Sequence, residues 1–392
     1  MNARKHFIID AISARVLRRG ALWVTSVGTL LARYAARITP APGKMFGRAM
    51  KMKSRVRRAF GLFAIAAPLI LLSQQPTFAA DKLSVALNWV PGGDHAAMYY
   101  AKQLGWYKDA NLDVDLETGK GSVGVLQKVS NGLSQIGLAD MGVAIGARGK
   151  DAKIVAVMDI YANTALGMYW LKSTGINSVK DFAGKKIGVP AGDAQRALWP
   201  ALAAKTGIDP NTVTWVNVDP NGKLPALKAH AIDITTNFYN LHHIMSRELG
   251  ADMGYLSWAK AGINPYGLTI FANTDYLTTN KDVVARFIKV TQRAYQECVK
   301  SPDPCVNALV DQVSGLKTEN ETVNWKLTMQ LMSDEVSRTK GLGFMDPARM
   351  QNDYDLVAKY LGVTTPFDVK AMYTDEFLDP SIKMVDVPEM KF

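Results

Sequence analysis

Reactive side chains are scarce in this chain. Its 392 residues include two cysteines and five histidines. No P-loop pattern occurs, no Gly-x-Ser-x-Gly elbow and no His-Glu-x-x-His, so common signatures of nucleotide, ester and zinc-dependent hydrolysis are missing. Beyond residue 80 the histidines are His95, His230, His242 and His243. His242 and His243 are adjacent, about 100° apart on a helix, and make poor joint ligands. No His lies near either cysteine in sequence. These absences speak against a metal centre, a catalytic constellation or a resident cofactor.

An excess of positive charge is also absent once the N-terminal segment is set aside. Residues 1–80 hold 14 Lys and Arg against one Asp, a net of +13. The whole chain carries +11, so residues 81–392 sit at −2. The basic balance therefore says nothing about nucleic acid, and that partner class is rejected. The basic run Lys51–Arg58 precedes an apolar run from Ala59 to Leu72, 14 residues long. That length is too short for a comfortable membrane span. Polar residues and Thr77-Phe78-Ala79-Ala80 follow, completing the three parts of a secretory signal peptide. Cleavage is expected after Ala79, giving a periplasmic protein. Residues 1–49 are expected to be an over-called start, because Met50 or Met52 would open an ordinary signal. A rival reading makes them a further targeting or anchoring region. No Cys occurs before Cys298, so no lipid-acceptor Cys lies at the cut. Cys298 and Cys305 bracket Ser301-Pro302-Asp303-Pro304, a spacing that suits a small disulfide loop in an oxidising compartment. Two buried free thiols are the alternative.

The remaining 312 or so residues suffice for two lobes or one large α/β domain. Strand-like runs lie at 83–88, 112–117, 135–138, 153–159, 166–172, 186–190, 212–218, 232–236 and 266–273. They alternate with helix-like runs at 95–106, 121–132, 142–149, 193–206, 222–230 and 240–249. Helices then dominate, at 281–300, 304–314, 319–334 and 346–361. The alternation predicts parallel sheets covered by helices. Leu166–Leu171 and Tyr266–Asn273 read as crossings between two lobes.

Open α/β sheets place ligands at the carboxyl ends of strands, so those ends carry the candidate site. The most informative is Leu87-Asn88-Trp89-Val90-Pro91-Gly92-Gly93-Asp94-His95. Its amide can read a polar ring edge and its indole can cover a ring face. The next strand ends offer Asp140, Tyr161 and Asn163. Asp140 can cap the following helix or accept from a ligand amine. Gly192 and Asp193 join a strand to a helix, where glycine admits a ligand to backbone N–H groups. Asp193 is itself a good N-cap and can occupy those donors. Asn237 and Tyr239 end the last such strand. Trp199, Trp215 and Trp258 read as core.

On these residues the chain resembles the solute-binding proteins of ABC importers, within them the binders of thiamine pyrimidine precursors. That family also groups with sulfonate and taurine binders. The likeness rests on Leu87–Pro91 with His95 and Ala101, on Gly105-Trp106-Tyr107-Lys108-Asp109-Ala110, and on Lys180-Asp181-Phe182-Ala183-Gly184-Lys185-Lys186. It covers essentially all of 81–360. It implies an α/β two-lobe periplasmic binding fold of type II, with hinge strands and a helical C-terminal region. The implied division is 1–79 leader, 80–165 first part of lobe 1, 166–272 lobe 2, and 273–392 second part of lobe 1. The resemblance implies that Asn88 and Trp89 match the pocket motif. After Pro91 this chain has Gly92-Gly93-Asp94, where pyrimidine binders usually show Asn and other polar residues. The implied partners are a small-molecule solute and an inner-membrane permease, the protein acting as a monomer. Related fungal enzymes carry a Cys-rich motif that this chain lacks, so a non-enzymatic binder is expected. The alternatives are a binder of an organic anion such as an alkanesulfonate, and an exported enzyme or sensor on the same fold.

Overall fold

The computed structural model describes residues 79–390. The leader and its start codon concern residues outside this range. Ten strands form two five-stranded sheets. The first contains β1 (Asp81–Ala86), β2 (Leu112–Glu117), β3 (Ile136–Asp140), β4 (Ile154–Asp159) and β10 (Leu268–Asn273), in the order β2-β1-β3-β10-β4. The second contains β5 (Leu166–Leu171), β6 (Lys186–Val189), β7 (Thr214–Asn217), β8 (Ile234–Phe238) and β9 (Met253–Ser257), in the order β7-β6-β8-β5-β9. Helices cover both sheets, an α/β architecture.

Neither sheet is purely parallel. In the first, β10 runs antiparallel to β3 and β4; in the second, β5 runs antiparallel to β8 and β9. Each reversed strand is the first laid down after the chain crosses between sheets. The parallel strands end at the side facing the other sheet. A chain arriving from there must run away from it.

The strands read as crossings therefore do not cross. β5 lies wholly in the second sheet and β10 wholly in the first. The connections are 160–165 and 258–267, and a division at 272 puts β10 in the wrong lobe. Both strands are fully buried, which explains their long apolar runs without any hinge role. β9 was not legible. It is short and half-exposed, and its Gly254 leaves space that the Trp170 ring fills, since a Cβ there would lie 2.1 Å from Trp170.

The C-terminal region is helical after β10. Its main members are Lys281–Lys300, Pro302–Gln312, Thr318–Met332 and Pro347–Leu361. The first two are joined by a disulfide between Cys298 and Cys305. Trp325, Leu331 and Met332 pack into the core of the first sheet, whereas Met350 and Val357 join a core that also holds Leu198 and Trp199 of the second. Trp199 and Trp258 are buried; Trp215 is half-buried. No helix among the described residues is long and apolar enough to cross a membrane.

Candidate functional site

β1 delivers Asn88 and Trp89 to the gap between the sheets. Their carbonyls are held by the loop after β2: Gly121 N–H donates to Asn88 O at 2.8 Å, and Gly119 N–H to Trp89 O at 3.2 Å. Gly119 is required there, because a Cβ would lie 1.8 Å from Leu87 O. The backbone carrying the indole is thus fixed before any ligand arrives.

A cavity of about 260 Å³ opens at this point. Asn88, Trp89, Pro91, Asp94 and Ser122 line it from the first sheet. Asp193, Gln195, Lys223, Asn237 and Phe238 line it from the second. Glu321 and Asn324, on the helix Thr318–Met332, close it from a third side. Six carboxamides (Asn88, Gln195, Asn221, Asn237, Asn240 and Asn324) thus share a wall with one indole and one phenyl ring. Such a wall offers both donors and acceptors to a polar ring edge.

Behind the wall lies a buried polar network. His95 Nε2 donates to Asn88 Oδ1 at 2.9 Å, while His95 Nδ1 accepts from Gly92 N–H at 3.2 Å. Burial lowers the imidazole pKa, and nearby Asp94 only partly offsets it. The ring is therefore neutral, and its 3.2 Å contact with Asp94 Oδ1 is not an ion pair. With Asn88 Oδ1 engaged by the imidazole, the amide's N–H donors are left for the cavity. Tyr161 Oη donates to Asp94 Oδ2 at 3.1 Å, and Tyr295 Oη donates to Asp94 O at 3.0 Å.

Charge in the cavity is mixed. Glu321 Oε2 accepts from Gly93 N–H at 2.6 Å and from Asn324 Nδ2 at 3.4 Å. Burial pushes this carboxyl up to about 7, with Gly93 opposing and Asp94 adding to the shift. Asp193 has both oxygens committed. Oδ1 caps the helix Ala194–Thr206 through Gln195 N–H at 2.9 Å, and Oδ2 accepts from Thr236 Oγ1 at 3.0 Å. Burial raises its pKa. Lys223 is 4% exposed and donates to Thr236 O at 2.7 Å. Its ammonium lies 4.6 Å from the Trp89 ring centroid. Burial lowers its pKa to about 8, with Asp193 opposing.

Of the strand-end candidates, the structure brings Asn88, Trp89, Asp193 and Asn237 to the cavity and leaves six off its wall. His95 is fully buried behind Asn88. Tyr161 is fully buried, turned to Asp94 and Phe238, so it cannot lie on a ligand. Asn163 is spent in the first crossing, where its Nδ2 donates to Ser333 O and its Oδ1 accepts from Asn264. Asp140 caps its helix through Gly142 and Val143, so the capping reading holds. Gly192 lines a neighbouring depression of about 530 Å³ with Lys120, Lys128 and Asn217; its carbonyl accepts from Val123 N–H. Tyr239 packs with His242 and Tyr255.

Sequence reading missed Lys223, Glu321 and Asn324. Lys223 opens a short helix, Lys223–Lys228, and so lies off the strand ends on which the candidates were sought. Glu321 and Asn324 did leave a signal. They stand three apart, on the same helix face as buried Trp325 and Thr328, and polar groups on an apolar face ask for a reason. Among the described residues no group of His, Cys, Asp and Glu is arranged to hold a metal ion.

A family model described as NMT1/THI5 like matches residues 93–304. The formylaminopyrimidine-binding protein of Halalkalibacterium halodurans is 22% identical over 69% of this chain and 81% of its own length. A 4-amino-5-hydroxymethyl-2-methylpyrimidine phosphate synthase of Legionella pneumophila is 22% identical over 76% and 92%. The relatives thus include both a binding protein and a synthase. Among solved structures, the alkanesulfonate-binding protein SsuA of Xanthomonas axonopodis pv. citri, bound to MOPS, superposes with a TM-score of 0.57. It is 14% identical, covering 76% of this chain and 100% of that one. The fold is that of the periplasmic binding proteins.

Proposed function

The chain belongs to the NMT1/THI5-like family, and from that premise we propose that it is the substrate-binding component of an ABC importer. It captures a small heteroaromatic solute, such as a thiamine pyrimidine precursor, by closure of the two lobes, and hands it to an inner-membrane permease. It works in the periplasm after loss of its leader, as a monomer and without turnover.

The observation that carries this reading is the pair Asn88–Trp89. An indole stands beside an amide whose orientation a neutral imidazole sets. Stacking covers the ring face, and the amide reads its edge. The name of the Halalkalibacterium relative supports a pyrimidine. Asp94 and Glu321 on the wall favour an amine-bearing ring over an anion. The second reading, an alkanesulfonate or related anion, draws on the Xanthomonas neighbour and on the buried Lys223. A wall of amides around one indole suits capture better than bond breaking.

The test is to purify the protein from its native periplasm, denature it and identify the released small molecules by mass spectrometry. An aminopyrimidine supports the reading. A sulfonate or other non-aromatic solute sinks it and leaves the importer role. A ring compound converted during incubation overturns the claim of no turnover.

A further inference from the structure

Lys223 is a buried cation that the sequence reading did not find. It belongs to the second sheet's side, yet its ammonium lies over the ring of Trp89, which belongs to the first. It has no ion pair within 4 Å among the described residues. The nearest buried acid that it feels is Asp193. Both Asp193 oxygens are already held, by helix N–H groups and by Thr236. One ammonium proton goes to Thr236 O, and an ammonium has three to give. Buried charges are normally paired, because the loss of hydration is otherwise uncompensated. Here the missing acceptor faces a cavity that Lys223 itself lines.

The helix that closes the third side of the cavity is the complement. Glu321 uses Oε2 for Gly93 and Asn324, and Oε1 makes no hydrogen bond to any described residue. A solute in the cavity therefore meets an acceptor at Glu321 and a donor at Lys223.

We propose that Lys223 is a specificity-determining residue, and that the solute carries a hydrogen-bond acceptor, a carbonyl or other electron-rich oxygen, on an arm projecting from the ring that covers Trp89. The proposal rests on the heteroaromatic reading above and deepens it. It makes the second lobe a reader of the arm and the first lobe a reader of the ring. Because ammonium and indole come from different sheets, the acceptor is recognised only when the cleft is shut.

The test uses the full mature chain, titrated calorimetrically with two aminopyrimidines of matched size. One bears a 5-carboxamide and the other a 5-ethyl group; an alkanesulfonate is the third probe. Wild type is expected to prefer the carboxamide at least tenfold. Lys223→Met should bring that preference near unity while leaving the ethyl compound's affinity within about twofold. Thermal unfolding of the variant checks that it is folded. Equal weakening of both rings, or no preference in wild type, overturns the proposal and leaves the ring reading standing. Binding of the sulfonate alone, abolished by Lys223→Met, keeps Lys223 as the acceptor reader and sinks the ring. Binding of none of the three probes overturns both.

Discussion

On the proposed reading Trp89 and Asn88 contribute to binding in different ways, and substitution separates them. Removing the indole forfeits about 0.5–1.5 kcal/mol of stacking beyond burial. Removing the amide leaves a buried ligand group unpaired, at about 1–3 kcal/mol. Trp89→Ala and Asn88→Ala should each weaken binding roughly tenfold with the fold intact, measured by calorimetry on the identified solute. His95 lies off the cavity wall, yet His95→Ala should reproduce the Asn88→Ala loss, and the double variant should add little. A fully additive double variant would show that His95 does not act through Asn88. Asp140 supports a different prediction. Its Oδ2 is buried without a hydrogen-bond partner, and burial raises its pKa to about 7. An unfolded carboxyl titrates near 3.9. Between these values the native state holds a proton that the unfolded chain has lost, so stability falls as pH rises through that window. Asparagine caps helices equally well but places an NH2 with two unpaired N–H donors where Oδ2 has no partner. Asp140→Asn should therefore be more stable than wild type at pH 8, by about 1–3 kcal/mol. It should be less stable at pH 4. Denaturant melts at both pH values decide, and an unchanged sign would sink the argument.

At the scale of elements, the glycines after Pro91 explain themselves through a helix far along the chain. A Cβ on Gly93 would lie 2.5 Å from Glu321 O and 2.8 Å from Asn324 Cβ. The missing side chain lets the helix Thr318–Met332 seat against the strand-end loop and brings its polar pair to the cavity. Gly93→Ala should cost about 1–3 kcal/mol by overpacking. It should also weaken binding, because the displaced helix carries Glu321. A variant with unchanged melting and affinity would refute the contact. This is where sequence reading reached its limit. Elements whose own residues declare them were legible: the alternation of Leu83 and Val85, the caps at Asp140 and Asp193, the apolar runs of β4 and β5. The strand-end rule found Asn88, Trp89, Asp193 and Asn237. It could not find groups that reach the cavity from a helix some 230 residues later, nor tell that Tyr161 turns inward to Asp94. Orientation behind a wall is a packing outcome, and a single chain does not print it.

At the scale of the molecule, the two crossings, 160–165 and 258–267, run on one side of a cleft whose far walls touch. Gly121 and Gly192 meet there backbone to backbone, Val123 N–H donating to Gly192 O at 3.2 Å. The cavity is lined by residues of both sheets. It thereby brings Lys223 and Trp89, 134 positions apart in the sequence, to one space.

The place of β10 also dictates an order of assembly. The second sheet is written in one uninterrupted stretch, 166–257, while the first must leave a gap between β3 and β4 until residue 268 arrives to fill it. A folding chain can finish the later-coded sheet while the earlier one waits, open through its middle. Pulsed hydrogen exchange during refolding should protect β6 and β8 before β3 and β4, and the opposite order would overturn this. Loop closure over more than 100 residues is entropically dear, so the lobe that comes first in the chain should be the last to close.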